Sequence, residues 1–150
     1  MTYTRQLLQI ISHSSTQFKM MTEDEWSYKP GPAKWSKKEI LGHLIDSCHS
    51  NTRRMIVTQY EQNQVILYKQ NEWVQYQDYQ SLPYQHIIQL WQLMNTQLTS
   101  TIANIPESKL QYTCITDEPR SLEWHIRDYI RHLNHHLSQI KEKLHLQHDQ

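Results

Sequence analysis

Glycine is scarce in this chain, with two in 150 residues, and proline contributes only five. Tight hairpin turns lean on glycine, so an all-β fold of many short strands is excluded and long helices are favoured. A surplus of either charge is also missing: 15 Lys and Arg balance 15 Asp and Glu. That leaves no electrostatic case for nucleic acid or for an anionic membrane surface, both of which require a basic excess. No run approaches the roughly 18 apolar residues of a membrane span, and the opening "MTYTRQLLQIISHSS" lacks the apolar core and cleavage site of a secretory leader. The two cysteines, Cys48 and Cys114, stand in no metal or redox spacing, which reads as two unpaired thiols in a reducing cytosol. What remains is a polar chain, long enough for one domain over residues 1–150, whose core draws on nine tyrosines and five tryptophans. A cytoplasmic protein is expected.

Four amphipathic segments stand out. In residues 4–20, Leu7, Ile10, Ile11 and Phe18 recur at helical spacing. The loop "EWSYKPGPAKWS" follows, and its Pro–Gly punctuation is incompatible with helix. The second segment opens on Ser36 with Glu39 three residues on, the spacing of a capping box, and Ile40, Leu41, Leu44, Cys48 and Met55 mark its buried stripe to about Val57. Residues 60–80 are rich in Gln, Tyr and Asn without a period, and predict an irregular crossing that covers a site. The third segment begins at Pro83, placed in the first helical turn, and carries Ile87, Leu90, Trp91, Met94, Leu98 and Ile102. The fourth is capped by Ser121, with Glu123 in its first turn, and its stripe runs Leu122, Ile126, Ile130, Leu133, Leu137, Ile140 and Leu144. Four such helices predict an all-α four-helix bundle.

The ten histidines are the chemically suggestive surplus. His132 and His136 lie four apart, so on a helix their rings share one face and can converge on a single ion. Roughly 0.65 such pairs are expected by chance at this histidine content, so spacing alone is weak evidence. The neighbours say more. His136 borders the apolar stripe through Leu133 and Ile140, while His135 has Asp128, Arg131, Ser138, Gln139 and Glu142 at helical spacing and belongs to the solvent face. A third ligand is required. His43 lies one turn after Ile40 at the edge of the second stripe and is the stronger candidate; His125 could share the face of His132; His13, His86, His145 and His148 are poor ones.

"GPAKWSKKEILGHLIDS" and, much later, "SLEWHIRDYIRHLNHHLSQI" together resemble the DinB-like (DinB/YfiT-like) family, and the resemblance spans nearly the whole chain. It implies a four-helix bundle of up-down-down-up connectivity, a three-histidine site for zinc or nickel at His43, His132 and His136, with His135 not a ligand, and a homodimer. The chain departs from the family's pattern at Thr52, Arg53 and Lys69, which bears on substrate more than on metal.

Three imidazoles leave a divalent ion its full charge and, for zinc, one open position, the ligand count of catalytic sites. Two reaction classes use such a position: hydrolysis, with water activated by the cation, and transfer of a thiol, which the resemblance supports through bacillithiol- or mycothiol-type co-substrates. A non-catalytic, stress-associated metal-binding bundle is the alternative from another class. His43, Ser47, Asn51 and Arg54 follow one face of the second helix. Arg54 could hold a carboxylate and Asn51 could orient a polar group of the substrate. Asp46 and Asp128 could accept the second ring N–H of His43 and His132 respectively. Glu72 and Tyr68 could reach the site from the crossing, whereas Trp26, Trp35, Trp73 and Trp124 read as packing residues.

Overall fold

The computed structural model of the protein describes residues 2–142, so Leu144, His145 and His148 lie outside the described residues. Four long helices carry the fold: α1 (Thr2–Phe18), α3 (Lys37–Tyr60), α5 (Tyr84–Ala103) and α6 (Leu122–Lys141), with two short ones between, α2 (Glu23–Ser27) and α4 (Gln70–Gln77). Their starts are written locally. Ser36 and Thr22 each accept from the backbone N–H three residues on, and Glu39 and Glu25 each return a bond to the cap N–H, which makes two complete capping boxes. Ser121 Oγ accepts from Trp124 N at 3.0 Å and opens α6. Pro83 sits just before α5 as its N-cap in extended conformation rather than in the first turn.

Ring order and direction follow from a few contacts. Helix α3 packs on α5 and α6, and α1 on the same two, so α1 and α3 are diagonal. Phe18, at the end of α1, meets Trp91 in the first half of α5. Arg127 in the first turns of α6 reaches Tyr3 at the start of α1, and Lys37 at the start of α3 donates to the carbonyl of Glu142 just past the end of α6. The chain therefore runs up, down, down, up, as expected. Two neighbours run parallel, so the connection from α3 to α5 must travel back along the bundle. The core inside is apolar and aromatic, with Leu7, Phe18, Trp26, Leu41, Leu44, Met55, Trp91, Ile126 and Leu133 buried among one another. Ile10, Ile40, Leu90, Met94 and Ile130, expected in the stripes, are half-buried at its margin. No described helix is long and apolar enough to cross a membrane.

Three expectations are corrected. The loop beginning "EWSYKP" is helical at its start, because Thr22 and Glu25 form a capping box before the prolines are reached and Trp26 buries fully. The crossing from 60 to 80 is ordered: residues 63–66 pair in parallel with β1 (Thr113–Ile115), through Ile66 N to Ile115 O and Ile115 N to Gln64 O, both 3.0 Å, and α4 follows. And β1 forms an antiparallel hairpin with β2 (Pro119–Ser121), a piece of sheet too short to show alternation.

One glycine has a packing reason. A Cβ on Gly42 would lie 2.1 Å from Cδ2 of Tyr79, so only glycine lets that ring rest against α3. Gly42→Ala is expected to cost about 1–3 kcal/mol through this overpacking. Urea unfolding measures it, and an unchanged midpoint would mean that Tyr79 slides away freely.

Candidate metal centre

Helix α3 brings His43 to its buried side because Ile40, Leu41 and Leu44 fix that face inward. Antiparallel α6 brings His132 and His136, one turn apart, to the same level. The Nε2 atoms of His43 and His132 are 3.2 Å apart, across 89 positions of sequence. All three imidazoles offer a nitrogen within 4.8 Å of the others, the one group of three His, Cys, Asp or Glu donors of this kind among the described residues. Two ligands of one tetrahedral ion with bonds of 2.0–2.1 Å stand roughly 3.3 Å apart, so the pair already has the spacing a shared cation needs.

Protonation favours the same reading. Burial, reinforced by the positive charge each neighbouring ring would carry, pushes His43 down to about 3; burial first, and then His136, pushes His132 down to about 4; burial also lowers His136. The rings are therefore neutral, as ligands must be. His136 Nδ1 lies 2.9 Å from Oε1 of Gln139. An amide oxygen only accepts, so the proton sits on Nδ1 and Nε2 keeps its lone pair for a metal. Gln139, polar and four residues from His135, is also three residues from His136, and that i, i+3 spacing is what lets it reach the ring. His135 is exposed. Trp35 stacks obliquely on His43, with ring centroids 5.0 Å apart, and closes one side.

The proposed outer partners are placed otherwise. Asp46 is buried, but its Oδ1 accepts from Tyr79 Oη at 2.6 Å and from Gln77 Nε2 at 3.2 Å. Among the described residues, neither Nδ1 of His43 nor Oδ2 of Asp46 has a hydrogen-bond partner. Burial raises the Asp46 carboxyl, with Tyr79 and Gln77 opposing. The ring of Tyr79, seated against Gly42, is what takes Asp46 away from His43. Asp128 faces Arg131, accepting from its Nε at 3.0 Å and its Nη2 at 2.8 Å, not from His132. His125 is buried away from the cluster, with Nε2 3.2 Å from Sγ of Cys114. Both cysteines are free and buried. Asn51 donates to Ser47 O at 2.9 Å, and Arg54 donates twice to the carbonyl of Ile66. Through Arg54, whose guanidinium bonds the Ile66 carbonyl, the crossing lies against the helix that carries His43; Tyr68 is half-buried and Glu72 is exposed.

With this fold and cluster in view, the DinB superfamily model matches residues 6–140. The chain belongs to the DinB superfamily. Among solved structures, it superposes on YfiT from Bacillus subtilis with a TM-score of 0.83 and 17% identity, covering 93% of this chain and 82% of that one. YfiT is described as a probable metal-dependent hydrolase with an unusual four-helix bundle topology. The mycothiol-dependent maleylpyruvate isomerase, as parent and as a single-residue mutant, matches with a TM-score of 0.77 and 12% identity over 93% of this chain but only 59% of the isomerase. No curated protein matches. At these identities the likeness establishes the DinB bundle and its connectivity.

Proposed function

We propose that this DinB protein is a divalent-metal-dependent enzyme, a hydrolase or a thiol transferase, with His43, His132 and His136 as ligands to zinc or nickel. The observation that carries the reading is the convergence of three neutral imidazoles with 3.2 Å between the Nε2 atoms of His43 and His132. An all-imidazole donor set suits zinc and nickel equally, and three protein ligands leave a coordination position for substrate. When bound, the ion would supply a full +2 charge to polarise water, a carbonyl or a thiol.

The chain's own residues do the rest. His43 is fixed by burial and by Trp35, and Gln139 holds the tautomer of His136. His132 and His136 are half-buried, so the site is reached from that side. YfiT, described as a probable metal-dependent hydrolase, and the mycothiol-dependent isomerase support one reaction class each. A thiol co-substrate of the bacillithiol or mycothiol type, a homodimer and a cytoplasmic setting, consistent with two reduced buried thiols, complete the proposal.

The test begins with elemental analysis of protein purified without a histidine tag. It continues with ester, amide and thiol-transfer substrates, the last in the presence of bacillithiol, mycothiol or glutathione. About one zinc or nickel per chain is expected, with turnover in one class. Metal content unchanged in the His43→Ala, His132→Ala, His136→Ala triple variant would remove the site. Full metal content without turnover in any class would favour the non-catalytic bundle instead.

A further inference from the structure

The extended segment in the crossing has one edge in use and one edge open. On the inner edge Gln64 O accepts from Ile115 N and Ile66 N donates to Ile115 O, both at 3.0 Å, while the Ile66 carbonyl accepts from Arg54. Backbone groups of successive strand residues point to opposite edges, so the N–H and C=O of Val65 and Leu67 point outward. Among the described residues these four groups have no backbone partner. Ile66 is buried beneath, whereas the side chains of Val65 and Leu67 are 63% and 64% exposed. An open strand edge is a template for another chain, and folded proteins usually blunt it with proline, a bulge or charge in the strand. Residues 62–68, "QNQVILY", contain neither proline nor charge.

The charges stand just outside this stretch. Glu61 precedes it and Lys69 follows it; both are exposed, and among the described residues neither is in an ion pair. A strand with an anion at one end and a cation at the other is complementary to an antiparallel copy of itself. Rotation about a two-fold axis at Ile66 sets Val65 opposite Leu67 of the copy, and Leu67 opposite Val65. Both are hydrogen-bonded pairs, so all the open backbone groups are satisfied at once. The same rotation lays each exposed valine against a leucine and brings each Glu61 to the end that carries Lys69 of the copy. A parallel copy would instead set Glu61 beside Glu61 and Lys69 beside Lys69.

We propose that residues 64–68 are an interface between two copies of this chain, an antiparallel pairing of identical edge strands about a two-fold axis at Ile66. The proposal rests on the homodimer of the proposed function and gives it a surface; it is independent of the metal centre. The paired strands are short and the contact is small, so the association is weak and depends on concentration.

Sedimentation velocity on the full chain between about 1 μM and about 1 mM should show a reversible monomer–dimer equilibrium. Over the same range the amides of Val65 and Leu67 should exchange with solvent more slowly as concentration rises. Glu61→Lys should weaken association at least about tenfold by opposing two lysines at each end, and adding Lys69→Glu should restore it. Leu67→Lys, a charge placed on the open edge, should weaken it as strongly. All three positions are exposed, so the variants keep the fold. A chain that stays monomeric throughout overturns the proposal together with the homodimer. A dimer that survives both Glu61→Lys and Leu67→Lys, or in which those two amides exchange alike at every concentration, overturns the proposal and leaves the homodimer on another face.

Discussion

His43→Leu is expected to lower affinity for zinc or nickel by more than about 100-fold, since removing a group that merely orients a ligand already costs 10–100-fold. The same substitution should leave the metal-free fold as stable as the parent, or more so. The imidazole it removes is 1% exposed, its Nδ1 has no hydrogen-bond partner among the described residues, and burial holds the ring neutral at a cost. Leucine replaces it with an apolar side chain of similar bulk between Trp35 and the core. A residue that weakens its own fold is better understood by what it binds. Competition with a chromophoric chelator measures the first quantity, and thermal unfolding without metal measures the second. His135→Leu, altering the exposed neighbour in the same cluster of sequence, serves as the control and should change neither. Undiminished affinity in His43→Leu would dismiss the three-histidine centre.

Acid should unfold the metal-free protein over an unusually high pH range. His43 is pushed down to about 3, and His125 and His132 to about 4, in each case first by burial. In the unfolded chain the same rings titrate near 6.5. Above that pH both states are neutral and no proton is exchanged. Below it the unfolded chain binds protons that the folded chain refuses, so stability declines from about pH 6.5 down to about 4, with uptake of about three protons on unfolding. Asp46, raised by burial, works in the opposite sense as pH falls below its raised value, and offsets part of the contribution of one ring. The midpoint of urea unfolding should therefore fall continuously between pH 6.5 and 4. Saturating zinc should move the onset of that fall to lower pH, because the ion binds the neutral rings of the folded state only. A midpoint that stays flat over this interval, with or without metal, would show that the rings protonate freely in the folded protein.

The depressed values also revise what the histidine spacing implies for metal release. With free imidazoles, protons would displace a metal below about 6.5. With these rings the competition is weaker, and retention to lower pH is expected.

What could be read along the chain is what depends on near neighbours. The capping box at Ser36 and the side-chain cap at Ser121 open α3 and α6 where expected, because a cap is closed within three residues. The same three-residue signal stands at Thr22 and Glu25, and it opens α2 before the prolines downstream can break the helix. The inward His132 and His136 and the outward His135 were legible too, since 100° per residue and the positions of Leu133, Leu137 and Ile140 settle the face of each.

The sequence by itself thus determined four amphipathic helices, the side of each that is buried, and a histidine pair on an inward edge. Only the tertiary structure decided which groups meet across the bundle. It brought His43 to 3.2 Å from His132 through antiparallel packing, drew Asp46 to Tyr79 instead of to the imidazole beside it in sequence, and left Arg54 half-buried with a carbonyl in place of a counter-ion. Periodicity specifies a face because it is a property of one helix. It does not specify a partner, which depends on how faces stack and on what a crossing segment carries past them.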